Sequence, residues 1–258
     1  MNGIRPLKAL GQHFLTNLET ASEIAHALSE EARKGLVLEI GPGTGVLTNE
    51  LIEAGVRDLH CVEVDERSVE FMKQRFPELS ERIHLADFLQ ANLDFLGPGS
   101  FSVIGNFPYN ISSQILFRVL EQKDRVVQVV GMFQNEVGVR VIAGPGKKDY
   151  GILSVLLAAW YRMSLICHIP PQAFVPPPKV DSVVINLQRN DRQTLPCNQA
   201  VFTQVVKAAF NQRRKMLRNT WADVVPEAIA AQAGIALTAR AEEIAPAQFV
   251  HVAQMLAS

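Results

Sequence analysis

Four residues at the end of one apolar run carry groups that can hold a planar amine. The run at 101–105 reads FSVIG and is followed directly by Asn106, Phe107, Pro108 and Tyr109. The Asn106 side-chain oxygen and a backbone carbonyl near Phe107 can each accept one N–H hydrogen bond. Pro108 makes the turn rigid because its ring fixes φ, and Tyr109 offers a face on which a flat ring can stack. The four residues therefore predict an amine-binding site; their other interpretation is a turn that caps a strand.

A glycine-rich stretch has the spacing of a nucleoside-binding loop. In LEIGPGTGVLT, Gly41, Gly43 and Gly45 lie between a predicted strand and a predicted helix. Glycines there allow a tight turn and a close approach of the backbone to a ligand. The spacing is not the Gly-x-Gly-x-x-Gly of dinucleotide sites, and the Lys-Ser/Thr ending of a phosphate-binding loop is absent. The loop therefore suits a nucleoside without a diphosphate.

Two acidic residues follow the next two predicted strands. Glu63, in CVEVD, is placed to accept hydrogen bonds from both hydroxyls of a ribose, and Asp87, after RIHLA, can meet an adenine amino group. In isolation, Glu63 and Asp65 are equally well interpreted as solvated residues that begin a loop. In order behind the glycine loop, the acids predict a pocket for S-adenosylmethionine at the carboxyl ends of the strands.

The amine-binding residues would then lie beside a methyl donor. The lone pair of an exocyclic adenine amine is delocalised into the ring, so the amine is a poor nucleophile. Two carbonyl acceptors would hold its nitrogen in a more tetrahedral state, with the lone pair directed at the methyl group. No strong base is needed, because the amine becomes acidic only after transfer. Catalysis is therefore expected to rest on positioning and electrostatic stabilisation.

These residues need a sheet whose strands end at a common edge. Apolar runs typical of buried strands occur at 35–40, 59–64, 82–86, 101–105 and 125–133. Helical patterns alternate with them at 46–55, 67–76, 112–122, 135–144 and 150–161. This alternation predicts an α/β, Rossmann-like class I methyltransferase sheet, parallel and covered on both faces. Two further runs, 163–169 and 179–188, have no helix between them and predict an antiparallel hairpin at one edge.

The last part of the chain has a different pattern. From residue 199 onward only helical patterns remain. We therefore predict two domains, with 1–190 as the S-adenosylmethionine-binding domain and 191–258 as a small, all-helical domain.

Composition limits the class of protein. The 258 residues are 48% hydrophobic and carry a net charge of −1, which is ordinary for a soluble globular protein. Basic residues for a nucleic acid must then be concentrated locally. Cys61, Cys167 and Cys197 fit no disulfide framework and no zinc spacing, and the histidines show no metal spacing. With no signal peptide and no membrane-length apolar stretch, we expect a cytoplasmic monomer without metal or membrane partner.

Six motifs together form a recognisable pattern. They are KALGQHFL (8–15), EIGPGTGVLT (39–48), VEVD (62–65), GNFPYNISS (105–113), FVPPPKVDS (174–182) and AFNQRRKMLRN (209–219). Over nearly its whole length the chain resembles the KsgA family of ribosomal RNA adenine dimethyltransferases. The resemblance implies dimethylation of N6 on two adjacent adenosines near the 3′ end of small-subunit (16S) ribosomal RNA, during small-subunit biogenesis. Several motifs together make the resemblance specific, whereas one alone would not.

The resemblance also assigns residues. The cofactor contacts it implies, with those of the glycine loop, are His13, Leu15, Gly41, Gly43, Glu63, Asp87, Phe88 and Asn106. The family usually has Asn at the position of His13, whose imidazole can still donate a hydrogen bond. At Phe107 the family more often has Leu or Ile, which leaves the backbone carbonyl available. Phe174 completes the catalytic group by holding the target base against Tyr109; its other interpretation is an apolar residue that fastens the proline-rich connection to the sheet.

Basic residues are concentrated between 203 and 221, a stretch without any acid. They are Lys207, Arg213, Arg214, Lys215 and Arg218, on a predicted helical region with an apolar inner face. Smaller clusters are Arg5 with Lys8, and Arg140 with Lys147 and Lys148. A charged run is often only a solvated face. With the family resemblance, we predict that the first cluster contacts phosphates of the small-subunit RNA.

Two other functions remain open. The Asn-x-Pro-Tyr turn also occurs in large-subunit RNA methyltransferases that give macrolide resistance, although VPPPKVDS and FNQRRKMLRN favour the small-subunit group. A ribosome-assembly or transcription factor that binds without needing methylation is the second alternative. The intact turn from Asn106 to Tyr109 argues against a loss of chemistry.

Overall fold

The computed structural model describes residues 4–7 and 10–257. They form two compact units. Unit 1 contains the described residues up to Gly138 together with Met163–Arg189, and unit 2 contains Val139–Arg162 together with the described residues from Asn190 onward. The expected boundary near residue 190 stays a prediction. In this grouping the segment Val139–Arg162, expected in the first domain, is joined to the C-terminal helices.

The strands of the described residues follow the predicted runs closely. They are β1 (Phe14–Leu15), β2 (Leu36–Ile40), β3 (Asp58–Glu63), β4 (Ile83–Leu85), β5 (Phe101–Asn106), β6 (Val126–Gln134), β7 (Tyr161–Ile169), β8 (Phe174–Val175) and β9 (Ser182–Arg189). Only the two-residue strands β1 and β8, which pair with each other in antiparallel fashion, have no counterpart in the sequence prediction.

The helices include two near the N-terminus that were not predicted. They are α1 (Leu18–His26), α2 (Glu30–Lys34), α3 (Val46–Glu53), α4 (Glu66–Arg75), α5 (Ser112–Glu121), α6 (Asn135–Ile142), α7 (Ile152–Ala158), α8 (Gln199–Phe210), α9 (Leu217–Thr220), α10 (Glu227–Gln232) and α11 (Pro246–Leu256). The side chains of Asn17 and Ser29 accept backbone N–H bonds at the starts of α1 and α2. Such caps satisfy donors that a helix start leaves without partners.

The main sheet has seven strands in the order β4-β3-β2-β5-β6-β9-β7. The pairs from β4 through to β6 are parallel, and β9 runs antiparallel to β6. The predicted fold class, a mostly parallel sheet with an antiparallel edge and a helical C-terminal part, is confirmed. The strand order reverses between β2 and β5, and ligands of open α/β sheets bind at the carboxyl ends beside such a reversal.

The buried ring of Phe107 packs against the sheet next to this edge. Phe107 is fully buried, and its ring lies edge-on to Phe133 at 5.3 Å. Gly131 is the residue that admits it, because a Cβ there would lie 2.3 Å from the Phe107 ring. The backbone at the end of β5 is thereby anchored from inside, which fixes the direction in which the next residues leave the sheet.

Unit 2 has an aromatic core of its own. Trp221, Phe249 and Tyr150 are buried there, and the Trp221 indole lies edge-on to Phe249 at 6.1 Å. The Trp221 Nε1–H donates to the Val205 carbonyl, and the Tyr150 hydroxyl donates to the Ile244 carbonyl. The indole N–H and the tyrosine hydroxyl are therefore both hydrogen-bonded, although they lie in an apolar environment.

The described residues contain neither a membrane-spanning helix nor a cluster of metal ligands. Within residues 4–7 and 10–257, no helix is both long and apolar enough to cross a membrane. Over the same part of the chain, no three His, Cys, Asp or Glu side chains are grouped to hold a metal ion.

Candidate active site

A cavity of about 50 Å³ lies at the carboxyl ends of β2, β3 and β5. Eight of the residues that the sequence singled out line it, namely His13, Gly41, Gly43, Glu63, Asn106, Phe107, Pro108 and Tyr109. Leu15 lines a smaller neighbouring space together with Glu39. His13 and Asn106, which are 93 positions apart in the chain, are therefore brought to one place.

The glycine loop adopts a backbone that only glycine takes easily. Gly41, Gly43 and Gly45 have φ values of +67°, +56° and +77°. Gly43 and Gly45 are also closely covered: a Cβ on Gly43 would lie 2.9 Å from the Phe14 ring, and one on Gly45 2.5 Å from Phe76. The loop is therefore fixed both by its dihedral angles and by the rings that pack against it.

The Glu63 carboxylate is almost fully enclosed by the backbone. Its Oε1 accepts the N–H groups of Val64 and Asp65 at 2.8 and 3.0 Å, and its Oε2 accepts that of Gly43 at 3.3 Å. Burial raises the pKa of Glu63, although these backbone bonds lower it in part. A carboxylate has about four lone-pair sites, so one good acceptor site on Oε2 remains for a ligand. A second ribose hydroxyl would have to replace the long bond from Gly43.

Glu39 is a second buried acid beside the glycine loop. No motif in the sequence indicated a role for it. It lies on β2, and its Oε2 accepts hydrogen bonds from the Thr48 hydroxyl at 2.7 Å and the Cys61 thiol at 3.7 Å. Burial raises the pKa of Glu39 to about 7. The Cys61 thiol is fully buried, as expected for a core residue, and burial raises its pKa as well.

Asn106 is held with its amide in one orientation. Its Nδ2 donates to the backbone carbonyl oxygen of His13 at 2.7 Å. The amino end of the amide is therefore occupied by the protein. The oxygen, Oδ1, is the end left for a ligand that donates hydrogen bonds.

Tyr109 is fixed at two points. Its hydroxyl lies 2.6 Å from the hydroxyl of Ser182, which is fully buried, and burial raises the pKa of Tyr109. Its ring stacks on the His13 imidazole with centroids 5.4 Å apart and planes at 26°. Ser182 was part of a quoted motif, but no pattern in the sequence indicated that it holds the tyrosine.

A groove of about 890 Å³ shares a wall with the cavity. Both spaces are lined by Gly11, Gln12, His13 and Tyr109, and the groove is otherwise bordered by Pro6, Gln134 and the proline-rich segment 175–180. A molecule in the groove would therefore face one in the cavity across His13 and Tyr109.

Asp87, Phe88 and Phe174 do not line these spaces. Asp87 follows β4 at the same edge of the sheet as Glu63, and its carboxylate accepts bonds from the Leu89 N–H and the Gln90 amide. Phe88 is buried, and Phe174 is only 2% exposed within the hydrophobic core, where β8 pairs with β1. This burial corresponds to the other interpretation of Phe174, and stacking on a base would require Phe174 to leave the core. The roles of these three residues stay predictions.

An N-terminal strap, defined as residues 10–16, covers the cavity. Gln12 donates from Nε2 to the Asp65 carboxylate at 3.1 Å, and its Oε1 accepts the Leu7 N–H at 2.8 Å. The Arg67 guanidinium holds the same carboxylate through two further bonds, and these lower the pKa of Asp65. Gln12 lies in the motif KALGQHFL, but no pattern in the sequence indicated that it bonds to Asp65, 53 residues away.

The basic cluster of unit 2 differs from its prediction in one respect. Helix α8 ends at Phe210, so Arg213, Arg214 and Lys215 lie in a turn before α9 and not on a helix. Arg213 is half-buried and pairs with Glu242 at 3.3 Å, an acid outside the stretch that the sequence analysis considered. Lys207, Arg214, Lys215 and Arg218 are exposed. Phosphate binding by all five stays a prediction.

The smaller basic clusters are only partly described. Lys8 lies outside the described residues, whereas its expected neighbour Arg5 is exposed. Arg140, Lys147 and Lys148 are exposed in unit 2, and the Gly146 N–H donates to the Glu242 carbonyl at 2.7 Å. The loop with Lys147 and Lys148 therefore lies near the acid that holds Arg213.

Known proteins match this chain over nearly its full length. The family model described as ribosomal RNA adenine dimethylase matches residues 5–258. A Parabacteroides distasonis protein named ribosomal RNA small subunit methyltransferase A is 49% identical over 253 residues, which are 98% of this chain and 94% of that protein. A protein of the same name from Cytophaga hutchinsonii is 43% identical over 256 residues, 99% of each chain.

Two solved structures share the fold. A dimethyladenosine transferase from Plasmodium falciparum has a TM-score of 0.78 at 22% identity, covering 93% of this chain and 96% of that one. The 23S rRNA methyltransferase ErmE has a TM-score of 0.72 at 24% identity, covering 95% and 100%. The two structures show the fold, and the family model and the relatives show that the chain belongs to the ribosomal RNA adenine dimethylase family.

Proposed function

We propose that this chain dimethylates N6 of two adjacent adenosines near the 3′ end of small-subunit (16S) ribosomal RNA, with S-adenosylmethionine as the methyl donor. The observation that carries the proposal is the fixed amide of Asn106, whose Nδ2 is bound by the protein and whose oxygen is left for an amine. Family membership and the names of the relatives support the choice of small-subunit RNA. The enzyme acts as a cytoplasmic monomer on assembling small subunits.

The residues around the cavity suit the nucleoside part of the methyl donor. Glu63 offers a buried acceptor for a ribose hydroxyl, and the Gly41 and Gly43 backbone turns beneath it without side chains. Ligand sites usually enclose roughly 300–1,000 Å³, well above the present 50 Å³. The part of the strap before His13, around Gly11 and Gln12, must therefore move outward when a nucleoside enters, while the His13 carbonyl keeps its bond to Asn106.

When bound, S-adenosylmethionine supplies an electrophilic methyl group. Asn106 Oδ1 and the Phe107 carbonyl oxygen each accept one N–H of the adenine amine. These two bonds draw the nitrogen lone pair out of conjugation with the ring and direct it towards the cavity. No side chain needs to act as a strong base, because the nitrogen loses its proton readily to water once it carries the new methyl group. The burial of Phe107 keeps its carbonyl in place during the reaction.

The second methylation has one N–H donor fewer. A monomethylated amine retains a single N–H, so only one of the two carbonyls stays engaged. Stacking on Tyr109 then contributes a larger share of the positioning. Tyr109 is suited to this because Ser182 holds its hydroxyl and the groove provides access for an RNA strand.

A reaction on isolated small subunits tests the proposal. Purified protein is incubated with S-adenosylmethionine and undermethylated small subunits, and the RNA is digested and analysed by mass spectrometry. Two adjacent dimethylated adenosines near the 3′ end are the expected product. Methylation of large-subunit RNA instead would indicate the macrolide-resistance activity, and tight binding without any product would indicate an assembly factor.

Asn106→Ala separates catalysis from binding. Losing one preorganised hydrogen-bonding partner typically costs about 10²–10³ in rate. At saturating methyl donor, Asn106→Ala should methylate at least about a hundredfold more slowly in single turnover, while it binds small subunits almost as well as the wild type. Asn92→Ala, an exposed asparagine paired with Asp94, serves as the matched control. An unchanged rate in Asn106→Ala would contradict the catalytic assignment.

A further inference from the structure

His13 touches three parts of the site at once. Its backbone carbonyl accepts the Asn106 amide at 2.7 Å, its Nδ1 lies 2.8 Å from the Pro176 carbonyl oxygen, and its ring stacks on Tyr109. A carbonyl oxygen can only accept, so Nδ1 carries a proton and donates it to the Pro176 carbonyl. Nδ1 is therefore directed at the proline-rich segment in this arrangement.

The backbone and the side chain of His13 have separate tasks. The carbonyl that orients Asn106 stays in place whatever side chain position 13 carries. The imidazole lies against Tyr109 in the wall between the cavity and the groove. A substitution of the side chain therefore tests the contact with Tyr109 without removing the partner of Asn106.

The hydrogen bond to Ser182 leaves one motion of the Tyr109 ring open. The hydroxyl bond to Ser182 fixes the tip, but rotation about the axis from Cβ to the hydroxyl leaves that bond in place. A stacked neighbour opposes this rotation, and the Pro176 bond in turn fixes the plane of the neighbour. The imidazole thus determines the tilt of the tyrosine face.

We propose that the His13 side chain is a positioning residue for methyl transfer, which sets the plane of the Tyr109 ring against the target base. The proposal rests on the proposed function for its kinetic part. Its chemistry differs from the cofactor contact that the family resemblance implies for this position, because the ring acts through Tyr109. An aromatic residue should therefore replace His13 better than a residue that only donates hydrogen bonds.

Two substitutions separate the ring from the hydrogen bond. His13→Phe keeps a ring that can stack and loses the bond to Pro176, whereas His13→Asn keeps a donor and loses the ring. Aromatic pairs are typically worth about 2- to 12-fold in an equilibrium or rate. We expect His13→Asn to lower the single-turnover rate by about that factor at saturating methyl donor and His13→Phe to restore most of it, with the affinity for S-adenosylmethionine unchanged in both.

A spectroscopic measurement makes the test independent of activity. The chain has three tyrosines, so protein labelled with 3-fluorotyrosine gives few fluorine resonances, and Tyr109→Phe identifies the one from Tyr109. In the absence of RNA and donor, this resonance should move in His13→Asn and stay near its wild-type position in His13→Phe. His26→Asn, which removes a ring that bonds only within α1, is the control and should leave it unchanged.

The outcomes are distinct. If His13→Asn equals the wild type while His13→Phe is slow, the hydrogen bond matters and the proposal is wrong. A loss of donor affinity in parallel with the rate would make His13 a cofactor ligand, which also overturns it. If the wild type does not methylate at all, the proposed function fails, but the fluorine resonance still decides whether His13 positions Tyr109.

Discussion

At the scale of single residues, the site depends on side chains whose polar atoms already form hydrogen bonds with other parts of the protein. Asn106 has one end of its amide bound, and Glu63 has three of its acceptor positions engaged by the backbone. Such preorganisation leaves a small number of defined positions for a ligand. Binding then needs little rearrangement of the polar groups themselves.

Glu63→Ala should weaken S-adenosylmethionine binding by roughly tenfold or more, because hydrogen bonds to a charged group contribute about 1.5–3 kcal/mol. Isothermal calorimetry measures the affinity directly. Glu66→Ala, which alters an exposed acid three residues away, is the matched control and should bind normally. Equal affinities of a folded Glu63→Ala and the wild type would remove Glu63 from the site.

Glu39 predicts a dependence of stability on pH. Its pKa is about 7 in the folded chain against an ordinary value of 4.5, since burial disfavours the carboxylate. Between these values the folded chain keeps a proton that the unfolded chain has released. The free energy of unfolding therefore falls as the pH rises from 4.5 to 7, by about 3 kcal/mol in total, and this contribution is constant above that range.

Glu39→Gln should abolish that contribution. Urea unfolding of both proteins at pH 5 and pH 8 gives the difference in stability between variant and wild type, and that difference should shift in favour of the variant at pH 8. Because the comparison is made within each pH, contributions from other titrating groups cancel. The same difference at both pH values would show that Glu39 does not titrate in this range.

At the scale of elements, the strap converts an open sheet edge into a covered cavity. It is attached by Gln12 to Asp65, by His13 to both Asn106 and Pro176, and by the pairing of β1 with β8. Gln12 is held to Asp65 by a single side-chain hydrogen bond, whereas His13 is held at its carbonyl and at its ring. The segment around Gly11 and Gln12 is therefore the part expected to open first.

Gln12→Ala should make the cofactor leave faster. It removes a hydrogen bond to the charged Asp65 carboxylate, so the covered state becomes less favourable and dissociation should accelerate by about tenfold or more. Stopped-flow displacement of bound S-adenosylmethionine measures this rate. Gln74→Ala, at an exposed position on α4, is the matched control. An unaltered dissociation rate in Gln12→Ala would mean that this bond does not limit opening.

At the scale of the whole molecule, positive charge is concentrated although the net charge is only −1. In unit 2, Arg214 and Lys215 are exposed in the turn after α8, while Arg213 is engaged by Glu242. The first two are free to meet phosphates, whereas Arg213 contributes to the packing of the turn itself. Substitutions at these neighbours should therefore have different effects.

Reversing Arg214 and Lys215 to Glu should weaken binding of small subunits strongly and leave cofactor binding intact. The logarithm of the affinity should fall with that of salt by about 0.7 per contacted phosphate on single strands and 0.9 on duplex, with a smaller slope in the variant. Filter binding over a series of salt concentrations measures both. Reversal of Arg57 and Lys73, two exposed cations of unit 1, controls for net charge. An identical slope in variant and wild type would make the turn only a solvated surface.

The sequence by itself determined the order of the main-sheet strands with the helices between them, and the identity of the family. Strands such as β2 and β5 and the turn from Asn106 to Tyr109 were found because apolar periodicity, glycine spacing and turn residues are local properties. The main sheet, its antiparallel edge and the grouping of eight predicted residues around one cavity followed from that order.

Only the tertiary structure decided which side chains hold one another. Three bonded pairs are far apart in the chain: His13 and Pro176 by 163 residues, Tyr109 and Ser182 by 73, and Arg213 and Glu242 by 29. The same packing placed Phe174 in the hydrophobic core. Local patterns specify periodicity and turns, but a hydrogen-bond partner depends on the distance between segments after the whole sheet has formed. That is why candidate site residues could be proposed from the sequence, whereas the residues that hold them in place could not.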